Sequence, residues 1–328
     1  MSNWWKTPAM SSLNHSDSKW TAIGSERPVA YALLLFMGMA WGLAVSSSKI
    51  AIVNGGHPVG LALWQVIVSG GMLFIFGLFR FRPSIPRPNV IGFSLFCGAF
   101  GVGFPAIALF YSARYLPAGV VAIAFASMPM FTYLLSILFR VEHGDRGRWL
   151  GVIIGFVAMA LLILPRSALP DPGLAPWVLL AFAASVGMSL ENSYAGGRRP
   201  PGISSVQLSC GRQLGAVFLL TPIALFTDTL LPVLGPWGTV QWAATGTGVL
   251  SGLAFTSLLY VIRTSGPVFA SQSAYIITLS GVMWGMVLFG ERHSGYIWGA
   301  LILTMIGCAL VRPRTQAQDN ILSPVAGE

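Results

Sequence analysis

Charge is scarce in this chain. Only 9% of its 328 residues are Asp, Glu, Lys or Arg, while 55% are hydrophobic before glycine is counted. An average soluble domain carries roughly 25% charge, so 19 bases and 10 acids are too few to cover a soluble surface. So much apolar content also excludes disorder, which needs low hydrophobicity and high charge. Cysteine is scarce too. Cys97, Cys210 and Cys308 sit in separate apolar runs with no C-x-x-C spacing, and their odd number leaves one unpaired. They read as small packing residues, not as a disulfide framework or metal ligands. His15, His57, His143 and His293 lie in the N-terminal tail or in short loops, without the spacing of a zinc site. No ATP-binding motif is present, no cofactor is implied, and any work must be driven by a gradient or by exchange. The net charge of +9 has no basic cluster interleaved with aromatics, so nucleic acid is not the expected partner.

What the chain does have is long apolar runs. The first 28 residues are polar and include Trp4, Trp5 and Trp20. The run at 29–53 is too long for a signal-peptide core and has no small-residue cleavage site after it, so it reads as a retained span. About 20 apolar residues cross a bilayer. By that measure the spans fall at 29–53, 59–79, 90–113, 117–139, 148–164, 175–195, 203–226, 239–262, 267–289 and 295–311. Breakers such as Gly55-Gly56-His57-Pro58, Pro170-Asp171-Pro172-Gly173 and Arg198-Arg199-Pro200-Pro201 separate them, and the connections are short. The expected fold is therefore an all-α integral membrane protein with ten transmembrane helices.

The bases orient it. Lys6, Lys19, Arg27, Arg80, Arg82, Arg87, Arg140, Arg146, Arg148, Arg198, Arg199, Arg263, Arg312 and Arg314 fall on one side, against Arg114, Arg166 and Arg292 on the other. Basic loops stay cytoplasmic, which puts both termini in the cytoplasm of a cell-membrane protein.

Slid against itself by 149 residues, the chain repeats. Gly103 meets Gly252, Tyr111 meets Tyr260, Arg114 meets Arg263, Glu142 meets Glu291 and Trp149 meets Trp298. A repeat of five helices is odd, so its second copy enters the membrane from the other side. Inverted repeats of this kind mark secondary transporters, in which two halves rock about a midplane site. An old duplication without transport is the plainer alternative.

Several segments carry a family resemblance. Trp41-Gly42 precedes Lys49 in helix 1, Pro129 stands mid-helix 4 ahead of Glu142, Arg146-Gly147-Arg148-Trp149-Leu150-Gly151 opens helix 5, and Leu288-Phe289-Gly290-Glu291-Arg292 closes helix 9. Over about residues 29–312 the chain resembles the drug/metabolite transporter superfamily in its EamA-domain branch. That resemblance implies alternating-access transport of small organic solutes, with a central cavity lined by helices 1–4 and 6–9. The chain departs from the pattern at Gln65, where the family often has Arg, and at Thr278, where it often has Pro. The expected organisation is a cytoplasmic tail over 1–28, a first EamA-like repeat over 29–164, a second over 175–311 and a cytoplasmic tail over 312–328.

Polar residues inside spans are costly and tend to face the bundle interior. Lys49 either snorkels to the outer interface or faces the cavity. Glu191 and Asn192 lie in helix 6, where Ser185, Ser189 and Asn192 form a stripe at helical spacing. Arg212 lies within helix 7 beside Gln213, and with a local shift of 147 Gln65 is its repeat mate. Glu191 and Arg212 form either a structural pair or a site in which Arg212 binds a carboxylate and Glu191 is its counter-charge or a proton site. Gln272 and Tyr275 in helix 9, and the aromatics Trp41 and Trp64, complete the candidate substrate-binding set. Glu142 and Glu291 read as anchors of helix ends. The G-x-x-x-G steps on helices 5 and 8 read as packing surfaces, and Gly98-x-x-Gly101-x-Gly103 fails as a nucleotide loop because no strand precedes it.

The expected function is a secondary transporter of a small, amino-acid-like or similarly amphipathic metabolite, with export direction implied by the resemblance alone. Its expected partners are that solute and the lipid bilayer, with coupling to protons or to exchange left open. An uptake carrier or exchanger of the same fold is the alternative. A polytopic enzyme lacks a nucleophile–base set or metal cluster in the sequence, and a channel does not need the inverted repeat.

Overall fold

In the bilayer core, backbone polar groups must be satisfied within the chain, which selects helices for these apolar runs. The structure, a computed structural model, describes residues 27–80, 88–140, 144–164, 171–201, 203–234, 236–265 and 267–311, and all regular structure among them is helical. In chain order the helices are α1 (Arg27–Val53), α2 (Pro58–Arg80), α3 (Pro88–Gly98), α4 (Phe104–Tyr115), α5 (Ala118–Ala126), α6 (Met128–Leu138) and α7 (Arg146–Ile163). There follow α8 (Ala175–Arg198), α9 (Ser205–Phe226), α10 (Thr239–Ser265), α11 (Pro267–Ala270), α12 (Ser273–Phe289) and α13 (Gly295–Leu310). Seven segments are long and apolar enough to cross a membrane, α3–α4 and α5–α6 each counting as one. Helices α12 and α13 are shorter and apolar, and the 24-residue α8 carries Glu191 among its serines. The predicted C-terminal tail and all of the N-terminal tail before Arg27 lie outside the described residues, and so do Glu142 and His143.

Three predicted runs are not single straight helices. The run at 90–113 continues from α3 through a π-helical turn, Ala99–Gly103, into α4. The run at 117–139 breaks at Ser127, just before Met128 and Pro129 open α6. Proline has no N–H to continue the ladder, the Met130 amide donates to the Ser127 carbonyl three residues back, and the Ala126 carbonyl beside the break accepts the Cys308 thiol at 3.1 Å. The run at 267–289 splits into α11 and α12 around Ser271 and Gln272. Caps start other helices where the sequence supplies them. Asp145 accepts from the Gly147 and Arg148 amides ahead of α7, and Ser204 with Gln207 forms a capping box on α9.

Helix α1 packs between α10 and α12, and α8 packs against α4 and the α5–α6 pair. Helix α2 lies on α9 and α10, α9 also lies on α3, and α7 pairs with α13. The polar stripe of α8 differs from the expected one. Ser185, Ser189 and Ser193 donate to the carbonyls of Ala124 (2.8 Å), Met128 (2.8 Å) and Thr132 (3.1 Å), fastening α8 along the broken helix. Asn192 is the neighbour of that stripe and not part of it, because four-residue steps keep the hydroxyls on one line. It is exposed, with its Nδ2 3.7 Å from Met128 Sδ.

Helices α3 and α9 approach closely at Gly98, where a side-chain carbon would stand 2.5 Å from the Ala216 nitrogen and 2.6 Å from the Arg212 carbonyl oxygen. Those are backbone atoms and cannot swing aside. Gly98→Val should therefore pry α3 from α9 and destabilise the protein by about 1–3 kcal/mol, read as a lower thermal midpoint of the detergent-purified protein. An unchanged midpoint would contradict this packing.

Candidate transport site

The Arg212 guanidinium is a charged group held within a long helix, and α9 places it about two turns from its capped end. Its Nη1 stands 3.8 Å from Glu191 Oε2, with side-chain exposures of 16% and 5%. That separation is an ion pair but exceeds a hydrogen bond. The guanidinium lies over the Phe255 ring at 4.7 Å, and its Nε has no hydrogen-bond partner among the described residues. Glu191 reaches this place because Gly101, in the π-helical turn, leaves room for its methylenes. The Cys97 thiol sits beside the same carboxylate. Read from the sequence as either a structural pair or a binding site, Glu191 and Arg212 are thus brought together without being saturated. The guanidinium keeps a donor edge that a planar anionic group can use.

Gln213 points elsewhere. It is buried against α2, its Nε2 3.3 Å from Ser69 Oγ and its Oε1 without a partner among the described residues. Gln65 donates to Ser251 Oγ at 3.2 Å, and Trp64 Nε1 donates to Thr245 Oγ1 at 2.9 Å. Both tie α2 to α10. Trp41 meets Phe255 edge-on, ring centroids 5.0 Å apart, so it joins the Arg212 neighbourhood through that shared ring. Tyr275 packs against the buried cluster of Met130, Tyr133, Val152, Cys308 and Val311, and Gln272 stands in the turn ahead of α12 and not within a continuous helix.

Lys49 takes neither of its expected roles in simple form. Its Nζ lies 2.6 Å from Glu291 Oε1, with side-chain exposures of 16% and 9%, and 4.9 Å from the Phe289 ring centroid. The same carboxylate accepts the amides of Ala118 (2.7 Å) and Gly119 (3.2 Å) at the start of α5. Negative charge is favourable at a helix N-terminus. Gly290 makes this geometry, since its φ of +62° ends α12 with a left-handed residue and turns Glu291 back into the bundle. One side chain thereby joins the ends of α1, α5 and α12.

His293 completes that cluster, and it is a residue that sequence reasoning passed over. Its side chain is 1% exposed, and its Nε2 stands 3.8 Å from Glu291 Oε2. Burial lowers its pKa below the ordinary histidine value, Glu291 opposes that shift and Lys49 adds to it. A cleft of about 290 Å³, lined in part by Gly56, His57, Asp228 and Gln241, opens at the α1–α2 turn, and none of the ten predicted site residues lines it. No group of three His, Cys, Asp or Glu side chains among the described residues is placed to hold a metal.

The model of the EamA-like transporter family matches residues 28–164 and again 175–312. The chain belongs to the EamA-like transporter family. It is similar to the inner membrane transporter YedA of Escherichia coli K12, at 25% identity over 86% of this chain and 90% of that one. It is similar to the protein PecM of Dickeya dadantii, at 27% identity over 63% of this chain and 71% of that one. A Streptantibioticus cattleyicolor protein named "Probable terminal-alkyne amino-acid exporter" is 25% identical over 87% of this chain and 93% of its own. A solved crystal structure matches with TM-score 0.59 at 18% identity, covering 91% of this chain and all of that one, and shows a shared fold. The chain is thus an all-helical membrane transporter built of two EamA repeats, and the family implies a small-molecule substrate.

Removing one member of a buried charge pair leaves the other uncompensated, at a typical cost of about 3–5 kcal/mol. Lys49→Met and Glu291→Gln should each lower the thermal midpoint, and Lys49→Met with Glu291→Gln should lower it by less than the sum. Additive losses in that double-mutant cycle would show that the two side chains do not interact.

Proposed function

We propose that this protein is a secondary transporter that moves a small organic metabolite, amino-acid-like or similarly amphipathic, outward by alternating access. The observation that carries the reading is the Arg212 guanidinium, paired to Glu191 only at 3.8 Å and with Nε unpartnered among the described residues. An intramembrane cation held without saturation suits a ligand carboxylate better than a purely structural pair. The Phe255 and Trp41 rings beside it suit the apolar part of such a solute. Amino-acid-like solutes come first because one relative carries an amino-acid exporter's name.

Alternating access needs two halves. Ten crossings result if α8, α12 and α13 are counted with the seven long spans. An inverted arrangement is supported by the repeat at an offset of 149 residues and by the helix neighbours. Exchanging α1 with α8, α2 with α9, α3–α4 with α10, and α5–α6 with α11–α12 turns the most extensive contacts of these helices into other observed contacts, whereas the smaller α1–α4 and α2–α4 contacts have no such counterpart among the described residues. The α1–α10 contact becomes α8–α4, the α2–α10 contact becomes α9–α3, and the α2–α9 and α5–α12 contacts map onto themselves. The repeats would run over 29–164 and 175–311 with both termini cytoplasmic. A fluorescent protein fused at the C-terminus should then be bright, and an alkaline phosphatase fusion silent. The reverse pattern would invert the orientation.

Metabolite profiling of cells with and without the protein, followed by counterflow of the hits in proteoliposomes, tests the transport reading. Export predicts hits that accumulate in the medium, and their depletion from it would instead make the protein an uptake carrier. Arg212→Lys should cut flux at least about tenfold, the scale of losing one bidentate charge-assisted contact. Glu191→Gln should change the apparent affinity. Unchanged flux in both variants, with normal membrane insertion, would remove this pair from the site.

A further inference from the structure

Glu291 fastens three helix ends that belong to different halves of the proposed carrier. Lys49 on α1 and the Ala118 and Gly119 amides on α5 come from the first half, and Glu291 comes from the second. This inference rests on the alternating-access reading, in which the two halves must part at this end. A closure built on one carboxylate can be released by giving that carboxylate another partner. His293 is the group positioned to be that partner. Its ring is buried against Gly119, its Nε2 is 3.8 Å from Glu291 Oε2, and neither ring nitrogen has a hydrogen bond among the described residues. A buried imidazole with both nitrogens unsatisfied is costly, and the Glu291 carboxylate, 3.8 Å away, is the charged group that stands beside it.

We propose that His293 is a proton-binding site that releases this closure: one proton taken from the aqueous side by its imidazole draws the Glu291 carboxylate away from Lys49 and the α5 amides, freeing the ends of α1, α5 and α12 from one another. Nothing is oxidised or reduced, and the step is one proton added to a nitrogen lone pair. The facing groups are few. Lys49 on α1 and Glu291 after α12 are the charges, Arg292 beside them is exposed, and the sequences of α5, α12 and α13 contain no Asp, Glu, Lys or Arg. Without protonation the cluster is balanced, one ammonium against one carboxylate. Protonated in place, it holds an excess positive charge away from water, which opening relieves. The lowered affinity of the buried ring for a proton points the same way. A state that hydrates the ring binds the proton more tightly, so falling pH shifts the population toward the open state.

Spin labels test this without a known solute. The background is the full-length protein in nanodiscs with Cys97→Ala, Cys210→Ala and Cys308→Ser. Labels go on Val53→Cys, at the end of α1, and Tyr296→Cys, at the start of α13, both exposed positions. Pulsed dipolar distances are recorded from pH 8 to pH 5. The expected result is a longer-distance population that grows on acidification, its ratio to the short one changing by up to about tenfold per pH unit for a single proton. His293→Gln should hold the short distance throughout, and Glu291→Gln should give the long distance at both extremes. One invariant distance distribution in the parent background overturns the proposal, and so does a pH response that survives His293→Gln. The parent result decides alone if His293→Gln does not fold. Solute counterflow together with pH-independent distances would refute the proton site and leave the carrier standing. A pH-dependent distance with no flux of any profiled solute would support the proton site and refute the carrier.

Discussion

The arrangement of this bundle depends on the Glu291 carboxylate. One side chain, turned inward by a left-handed glycine, binds the Lys49 ammonium at 2.6 Å and two amides at the start of α5. Each of those groups would be expensive alone in a poorly hydrated place. An unpaired ammonium and an uncapped helix start both favour moving toward water, which would splay this end of the bundle. Together they neutralise one another, and the helix ends they belong to stay in contact.

The opposite logic governs Arg212. Here too a cation sits among apolar helices, but its carboxylate partner is 3.8 Å away and one donor is unused. Wide packing explains the slack. The π-helical turn at Ala99–Gly103 and the glycine at 101 bring Glu191 close enough to balance charge, while the Phe255 ring fills the side where a closer acceptor could have stood. The tight Lys49–Glu291 pair holds helix ends together, and the looser Arg212–Glu191 pair is the site proposed for a solute. The serines of α8 serve a third purpose. They satisfy carbonyls along a helix that Pro129 interrupts, which lets a break exist in the bilayer without exposed backbone.

Much of this is legible in the sequence because the bilayer enforces simple rules. Apolar runs and breakers locate the helices, and rare intramembrane charges mark Lys49, Glu191 and Arg212. The pairing of Glu191 with Arg212 is readable because their helices are consecutive. What is not legible is three-dimensional register. The tie between Lys49 and Glu291 joins residues 242 apart, and no local pattern couples them. The π-helical turn and the break at Ser127 are invisible to a hydropathy window, which counts residues and not hydrogen-bond offsets. Gln65 and Trp64 look like cavity groups by composition, yet Ser251 and Thr245 of α10 already satisfy them. His293 shows no motif at all. Its importance comes from burial against a carboxylate supplied by the preceding turn.

The central claim is that the Arg212 region is reached alternately from the two faces of the membrane. A single cysteine placed at Phe255, in a background without the native cysteines, reports this directly when a membrane-impermeant maleimide is applied to right-side-out and to inside-out vesicles. The account predicts alkylation from both sides. Labelling from one side alone, under every pH and solute condition tried, would contradict it.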